Sequence, residues 1–180
     1  DQPLNFLPTA SIGGTTYSWT STISGPISAG SVTAAGSGAI VDTPLNTGNV
    51  SGTVTYRITP AFSGCNGSPV DLVVNVRPLP SASGSDFTVC SGQTAFITID
   101  PSPKNVAGTT FSWTALPSAN ITGSTNGNGS TINQFLTTTD ASVGTVVYTI
   151  TPFANGCAGP SEDIIATVNP VATVNAGPDF

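Results

Sequence analysis

The most reactive side chains in this sequence are three cysteines, Cys65, Cys90 and Cys157, and there is no histidine. A thiol or hydroxyl usually needs a neighbouring imidazole to become a nucleophile, and histidine is also the commonest ligand of zinc and iron. The composition therefore excludes Ser/His and Cys/His catalysis and most transition-metal sites. Two roles are left for the cysteines, as free thiols or as halves of disulfides.

Acidic side chains could bind calcium, which takes six to eight oxygen ligands from carboxylates, carbonyls and water. The candidates are Asp71, Asp163 and the adjacent Glu162, together with the linker residues Asp86 and Asp179. No Asp-x-Asp-x-Asp run groups them, so solvated loops and strand ends are the favoured interpretation and calcium is the weaker alternative. We expect no other cofactor.

Glycoside hydrolysis would need two carboxylates about 5 to 9.5 Å apart. Glu162 is the sole glutamate, and Asp163 beside it would face the opposite side of a strand. The sequence therefore predicts a protein that is not an enzyme.

Charged residues make up only 7% of the 180 residues, and nine acids against three bases give a formal net charge of -6. Soluble domains usually carry about a quarter charged residues, so Thr, Ser, Gly and Asn must keep this surface in water, as suits an extracellular protein. Arg57, Arg77 and Lys104 are scattered, which argues against a nucleic-acid partner. No apolar run reaches the roughly 18 residues of a membrane helix, so membrane insertion is not expected.

Periodic β-branched residues and frequent Gly, Pro and Asn predict the elements that must position these side chains. Alternation in Val54-Tyr56-Ile58 and Val146-Tyr148-Ile150 is typical of half-buried strands, and no window has a helical period. We predict an all-β chain in which Pro60 and Pro152 end the long strands, and in which the Gly-rich stretch 123–130 is a mobile connection.

An internal repeat organises the chain. Thr15–Thr20 recurs 94 residues later as Thr109–Thr114, and Tyr56–Pro60 recurs 92 residues later as Tyr148–Pro152. The copies are not identical, because Arg57 stands where the second copy has threonine. Each copy is long enough to bury its own core.

The repeat predicts the domain organisation. Residues 1–78 would form an immunoglobulin-like repeat that lacks its N-terminal part, residues 79–170 a second repeat, and residues 171–180 the start of a third. Because the chain opens with Asp1 and contains no methionine, we expect a piece of a longer protein.

About seven strands in the second copy match an immunoglobulin-like β-sandwich. The strands are predicted near 87–89, 95–100, 109–115, 132–135, 143–152 and 164–169, with a weaker one near Ile121. We expect Trp19, Trp113, Tyr56 and Tyr148 in the cores, where a third-strand tryptophan of such a sandwich packs.

The repeat also predicts the number of cysteines in each copy, because each full copy would carry two. Regularly placed cysteines in an acidic chain without histidine favour disulfides and an oxidising compartment. Cys90–Cys157 within one copy is the simplest pairing, but it would join turns at opposite poles of a sandwich. Bridges between neighbouring repeats are the alternative, and they would leave all three cysteines of this chain without a partner in it.

The motifs Cys-Ser-Gly (90–92), Thr-Phe-Ser-Trp-Thr (110–114), Gly-Thr-Val-x-Tyr-x-Ile-Thr-Pro (144–152), Asn-Gly-Cys-x-Gly (155–159) and Val-Asn-Pro (168–170) resemble the PKD-like, immunoglobulin-type repeats of giant surface proteins of Bacteroidota, including the gliding-motility adhesins of flavobacteria. The resemblance covers the whole chain. It implies type IX secretion, an extracellular cell-surface location and a structural or adhesive stalk.

The partners that this resemblance implies are neighbouring repeats of the same chain, a surface polysaccharide or other extracellular substratum, and the cell-surface motility or secretion machinery. An alternative function is a carbohydrate-binding accessory module of a secreted polysaccharide-degrading enzyme. That alternative predicts exposed aromatic side chains in line on one sheet face, whereas the stalk predicts Trp19 and Trp113 buried.

Overall fold

The computed structural model describes residues 2–174. It divides into two compact units, unit 1 over Asp1–Pro78 and unit 2 over Leu79–Phe180. Both units are built from strands, with a single short 3₁₀ turn at Ala29–Ser31 in the described residues, so the all-β prediction is confirmed. The predicted start of a third repeat falls largely on residues 175–180, outside the described part of the chain.

Unit 1 consists of two sheets. Its strands are β1 (Leu4–Phe6), β2 (Thr16–Ser24), β3 (Ala35–Ser37), β4 (Ile40–Asp42), β5 (Gly52–Phe62), β6 (Cys65–Asn66) and β7 (Val70–Val76). The larger sheet has the order β3-β2-β5, and β7 and the short β6 pair with successive parts of β5. The smaller sheet is the antiparallel pair β1–β4.

Unit 2 repeats this plan with two additional short strands. Its strands are β8 (Phe87–Cys90), β9 (Gln93–Thr98), β10 (Thr110–Pro117), β11 (Ile121–Thr122), β12 (Gly127–Asn128), β13 (Thr131–Thr138), β14 (Gly144–Ala154), β15 (Cys157–Ala158) and β16 (Glu162–Asn169). One sheet has the order β12-β10-β14-β16-β8, with β15 on the end of β14, and the other has the order β11-β13-β9.

The long central strands carry the cores. In β5 the alternate residues Val54, Tyr56 and Ile58 are buried, and the intervening Thr55 and Arg57 are not. The same period in β14 buries residues 146, 148 and 150. Because successive side chains of a strand point to opposite faces, one apolar face of each strand packs between the two sheets.

The prediction that Pro60 and Pro152 end the long strands is wrong. Strand β5 continues to Phe62 and β14 continues to Ala154. The carbonyl of Pro60 accepts a hydrogen bond from Gly67, and that of Pro152 from Gly159. The nitrogen of a strand residue points to the same side as its carbonyl. Each proline nitrogen therefore faces the break between two partner strands, β6 and β7 for Pro60 and the corresponding two strands of unit 2 for Pro152, where no donor is required.

The prediction of a mobile connection over the Gly-rich stretch 123–130 is also wrong. Gly127 and Asn128 form β12 and pair with β10. A Cβ atom on Gly127 would lie 2.5 Å from the ring atom Cζ2 of Trp113. Glycine is needed at this point because the backbone lies directly on the indole, and that contact fixes the segment.

Candidate functional site

The aromatic residues shared by the two copies are interior. Trp19 and Trp113 are 6% and 7% exposed, and Tyr56 and Tyr148 are completely buried. In unit 1 the rings of Trp19 and Tyr56 meet edge to face, with centroids 5.7 Å apart. These side chains stabilise the sandwiches and are not available to stack on a ligand.

Each buried tyrosine donates its hydroxyl to a polar side chain on a strand of the opposite sheet. In unit 1 the Tyr56 hydroxyl donates to Asp42 Oδ2 at 2.6 Å, and Asp42 Oδ1 accepts from the backbone N–H and hydroxyl of Thr33 at 3.1 and 2.6 Å. Burial first, then the hydrogen bond to Asp42, raise the pKa of Tyr56 well above its ordinary value. The carboxylate is thus built into the core packing.

Unit 2 makes the corresponding bond without a charge. The Tyr148 hydroxyl donates to Gln134 Oε1 at 2.7 Å, and Gln134 also bonds the backbone of Thr125. Burial raises the pKa of Tyr148 to about 12. The strand alternation predicts both tyrosines in the core but does not reveal Asp42 and Gln134, which lie 92 positions apart, as the tyrosines do.

The calcium candidates do not converge in the described residues. Asp71 forms an ion pair with Arg57, with 3.6 Å between Oδ1 and Nη1. Glu162 and Asp163 lie side by side at the exposed start of β16. Asp86 accepts a hydrogen bond from the backbone of Ile165. Among residues 2–174, no group of three or more His, Cys, Asp and Glu is arranged to hold a metal ion.

The remaining calcium candidate, Asp179, lies outside the described residues.

The pairing of Cys90 with Cys157 is incompatible with the fold. Cys90 is opposite Asn169 at the end of β16, whereas Cys157 is opposite Ala154, beyond the other end of that strand. At about 3.3 Å per residue this separates the two cysteines by roughly 35 Å, and a disulfide needs Cα atoms within about 7 Å. All three cysteines, including Cys65, are free thiols in this chain.

A pair of exposed phenylalanines forms the most conspicuous surface feature, which we call the Phe face. Phe96 on β9 and Phe135 on β13 are 63% and 58% exposed. Phe96 is opposite Asn133 and Phe135 is opposite Thr94, so the two rings are diagonal neighbours on the outer side of one sheet. The alternation of Phe96 with the inward Ala95 and Ile97 is the sequence signal that could have found this face.

The Phe face belongs to unit 2 alone. By strand register Asn5 of unit 1 takes the place of Phe96, since Asn5 is opposite Val41 as Phe96 is opposite Asn133. Thr43 lies 92 positions before Phe135. Unit 1 therefore has polar side chains at the two positions where unit 2 has aromatic rings, with Val41, which is 64% exposed, beside them.

The first and last strands of unit 2 form a second notable arrangement. Strand β8 pairs parallel with β16, with Phe87 opposite Ala166 and Cys90 opposite Asn169. The chain enters unit 2 before β8 and leaves it after β16. Tension between these ends would pull two parallel neighbours in opposite directions, which loads all the hydrogen bonds between them together.

These features define two tandem β-sandwich modules, which have similar interiors and different surfaces. The chain belongs to the PKD-like domain family, whose sequence model matches residues 1–80 and again residues 87–172. Domains of this family are usually extracellular and typically non-catalytic. A search of curated proteins found no match. In the described residues, no helix is long and apolar enough to cross a membrane.

Proposed function

We propose that this chain is a load-bearing and adhesive segment in the stalk of a large bacterial cell-surface protein, of the gliding-motility adhesin type exported by the type IX route. Its partners in this proposal are neighbouring repeats, an extracellular substratum such as a surface polysaccharide, and the cell-surface motility or secretion machinery. The parallel pairing of β8 with β16 is the observation that carries the proposal.

The mechanical argument rests on geometry. In a hairpin pulled open from one end, hydrogen bonds break one after another, whereas in a parallel pair pulled from opposite ends they must break together. The side chains add to this resistance, because Phe87 and Val89 pack on the core of unit 2. A module with this arrangement transmits tension along a stalk without unfolding.

Single-molecule pulling on the whole chain tests this function. We expect two unfolding events and assign the stronger one to unit 2. Ser91→Pro removes the backbone N–H that donates to the carbonyl of Asn169 at 2.7 Å, where the chain leaves β8 beside the end of β16, and should lower the force of that event. Ser91→Ala loses the same hydroxyl but keeps this backbone donor, so it should lower the force much less. An unchanged unfolding force in the proline variant would refute the mechanical role.

A second candidate function, carbohydrate binding, is favoured by the Phe face. Aromatic rings beside hydroxyl and amide groups are suited to sugar rings, which offer C–H groups on one side and hydroxyls at the edge. In this second proposal the ligand is a neutral polysaccharide, and adhesion is the sum of weak contacts over many modules.

Retention on an insoluble neutral polysaccharide tests this second function. We expect Phe96→Thr and Phe135→Thr to weaken retention. Leu116→Thr is the matched control, because Leu116 is 73% exposed and lies on a different sheet. Equal retention of the Phe variants and the control would refute carbohydrate binding at this face.

A further inference from the structure

A cavity opens on the outer side of the larger sheet of unit 2, where β10 begins. We call it the β10 cleft, and its polar and aromatic lining includes Thr110, Ser112, Asn128, Ser130 and Phe153. Its volume is about 600 Å³, within the range of about 300–1,000 Å³ that is usual for small-molecule sites. The Phe face belongs to the other sheet, and packed sheets are about 10 Å apart, so the two surfaces are separate.

The strand register builds the β10 cleft. Thr110 and Ser112 alternate with buried aromatic residues along β10, so their side chains point outward and form the floor. Phe153 on β14 is directly opposite Thr110, and Asn128 on β12 is directly opposite Ser112. Since β12 and β14 flank β10 and neighbouring strands are about 4.8 Å apart, roughly 10 Å separates the strand of the aromatic ring from the strand of the amide.

The side chains of the β10 cleft are available to a ligand. The Phe153 ring is 49% exposed. The side chains of Ser112, Asn128 and Ser130 form no hydrogen bond with another described residue. The Thr110 hydroxyl donates to the carbonyl of Phe153 at 3.2 Å and can still accept a bond. The cleft therefore offers one apolar ring beside several free hydrogen-bond donors and acceptors.

Charge narrows the chemistry of the ligand. The described residues that line the β10 cleft carry no formal charge, and the whole chain has a net charge of -6. An anionic ligand would find no cation in the lining and would be repelled by the acidic protein. A neutral ligand with one apolar face and several hydroxyl groups fits the lining.

We propose that the β10 cleft binds one pyranose ring of a neutral saccharide. The C–H face of the sugar stacks on the Phe153 ring, and its hydroxyl groups exchange hydrogen bonds with Ser112, Asn128 and Ser130. The proposal shares its class of ligand with the second candidate function, carbohydrate binding, and in that respect rests on it. It does not require the Phe face to bind anything.

Unit 1 keeps the polar floor of this site but lacks the ring. Ala61 is opposite Thr16 as Phe153 is opposite Thr110. The Thr16 hydroxyl also donates to the carbonyl of its opposite residue at 3.2 Å, and Ser18 follows it on the same side of the strand as Ser112 does in unit 2. Unit 1 therefore serves as a control for the aromatic ring within the same molecule.

The test is an NMR titration of the whole nitrogen-15-labelled chain with cellohexaose, mannohexaose and chitohexaose. With at least one of these neutral probes, the side-chain amide of Asn128 and the backbone amide of Ser112 should shift and saturate, with a Kd on the order of 1 mM because a single ring is held in an open cleft. The backbone amide of Ser18 in unit 1 should not shift. Hexagalacturonate, which is the charged comparison, should bind more weakly.

Three variants test the roles of the side chains. Phe153→Thr removes the ring and should weaken binding by roughly tenfold. Leu116→Thr is the matched control with unchanged binding, because Leu116 is 73% exposed on the outer side of β10 but lies four residues beyond Ser112. Asn128→Ala leaves the ring in place and should weaken binding by roughly threefold or more, so it tests the site even if Phe153→Thr does not fold.

Several results would overturn the proposal. They are the absence of a saturable shift with every neutral probe, equal affinities of Asn128→Ala and the original chain, equal affinities of Phe153→Thr and Leu116→Thr, and tighter binding of hexagalacturonate. Shifts confined to the amides around Phe96 and Phe135 would also overturn it, while leaving carbohydrate binding at the Phe face intact. Failure of the β10 cleft and failure of the second candidate function can therefore be told apart.

Discussion

Replacing the buried tyrosine of each unit by phenylalanine should destabilise unit 1 more than unit 2. Tyr56→Phe removes the hydroxyl that donates a hydrogen bond to Asp42 Oδ2 at 2.6 Å. The carboxylate is 8% exposed, so it cannot replace this bond fully with water. Hydrogen bonds to charged groups contribute about 1.5–3 kcal/mol, and we expect a loss of about 2 kcal/mol in the free energy of unfolding of unit 1.

Tyr148→Phe removes a bond between two neutral groups, from the hydroxyl to Gln134 Oε1 at 2.7 Å. Such bonds contribute about 1 kcal/mol, and Gln134 Oε1 still accepts from the backbone N–H of Thr125. For domains of this size, the two losses correspond to falls in melting temperature of roughly 10 °C in unit 1 and roughly 5 °C in unit 2.

The assay must follow the two units separately in one chain. Exchange mass spectrometry across a urea series does this, because peptides from β5 report on unit 1 and peptides from β14 on unit 2. Each variant serves as the control for the other, since only one unit should change. An equal or larger loss for Tyr148→Phe would refute the argument that the charge on Asp42 strengthens its hydrogen bond.

Three further predictions concern single sites. Burial raises the folded-state pKa of Tyr148 to about 12, above its ordinary value. The stabilising contribution of the neutral hydroxyl is therefore complete below about pH 10 and is lost as the pH rises to about 12. The urea midpoint of unit 2 should fall over this range, and it should fall less in Tyr148→Phe. Gly36→Ala places a Cβ 2.5 Å from the buried indole ring and should cost about 1–3 kcal/mol, whereas Gly30→Ala meets nothing within 4 Å and should leave urea denaturation nearly unchanged. Arg57→Thr breaks an exposed ion pair with Asp71 and should cost less than about 1 kcal/mol in urea denaturation, with no difference left in 1 M salt.

The sandwich itself could be predicted because its signals are local. Alternation in β5 and β14 sets which face is buried, and the second copy repeats the pattern 92 residues later. The weak strand expected near Ile121 is present as β11. Because the two copies predict the same elements at corresponding positions, each strand assignment is supported twice.

The features that the sequence does not predict depend on which strands become neighbours. Nothing local shows that the backbone of Gly127 lies on the ring of Trp113, so a Gly-rich segment resembled a mobile loop. The same holds for Pro152, whose missing donor is harmless only because its nitrogen faces a break between β16 and β15. The separation of the two cysteines also depends on strand pairing, because Cys90 lies beside one end of β16 and Cys157 lies beyond the other end.

Exposure of the Phe face is non-local for the same reason. The alternation of Phe96 with Ile97 predicts that the two side chains point to opposite sides of β9, but a third layer of structure could have covered the outer side. In the described residues the phenylalanine remains 63% exposed. A strand pattern therefore gives the direction of a side chain, and only the packed structure gives its accessibility.

The positions at which the two copies differ distinguish the residues that both modules need from the residues that belong to one module. The buried elements are retained in kind, as Trp19 with Gly36 corresponds to Trp113 with Gly127, whereas Asn5 stands in unit 1 where Phe96 stands in unit 2. Core contacts determine whether each module folds, so both copies must keep them. Outer faces are free to vary, so each module of a tandem array can present a different contact surface while every module keeps the same kind of core.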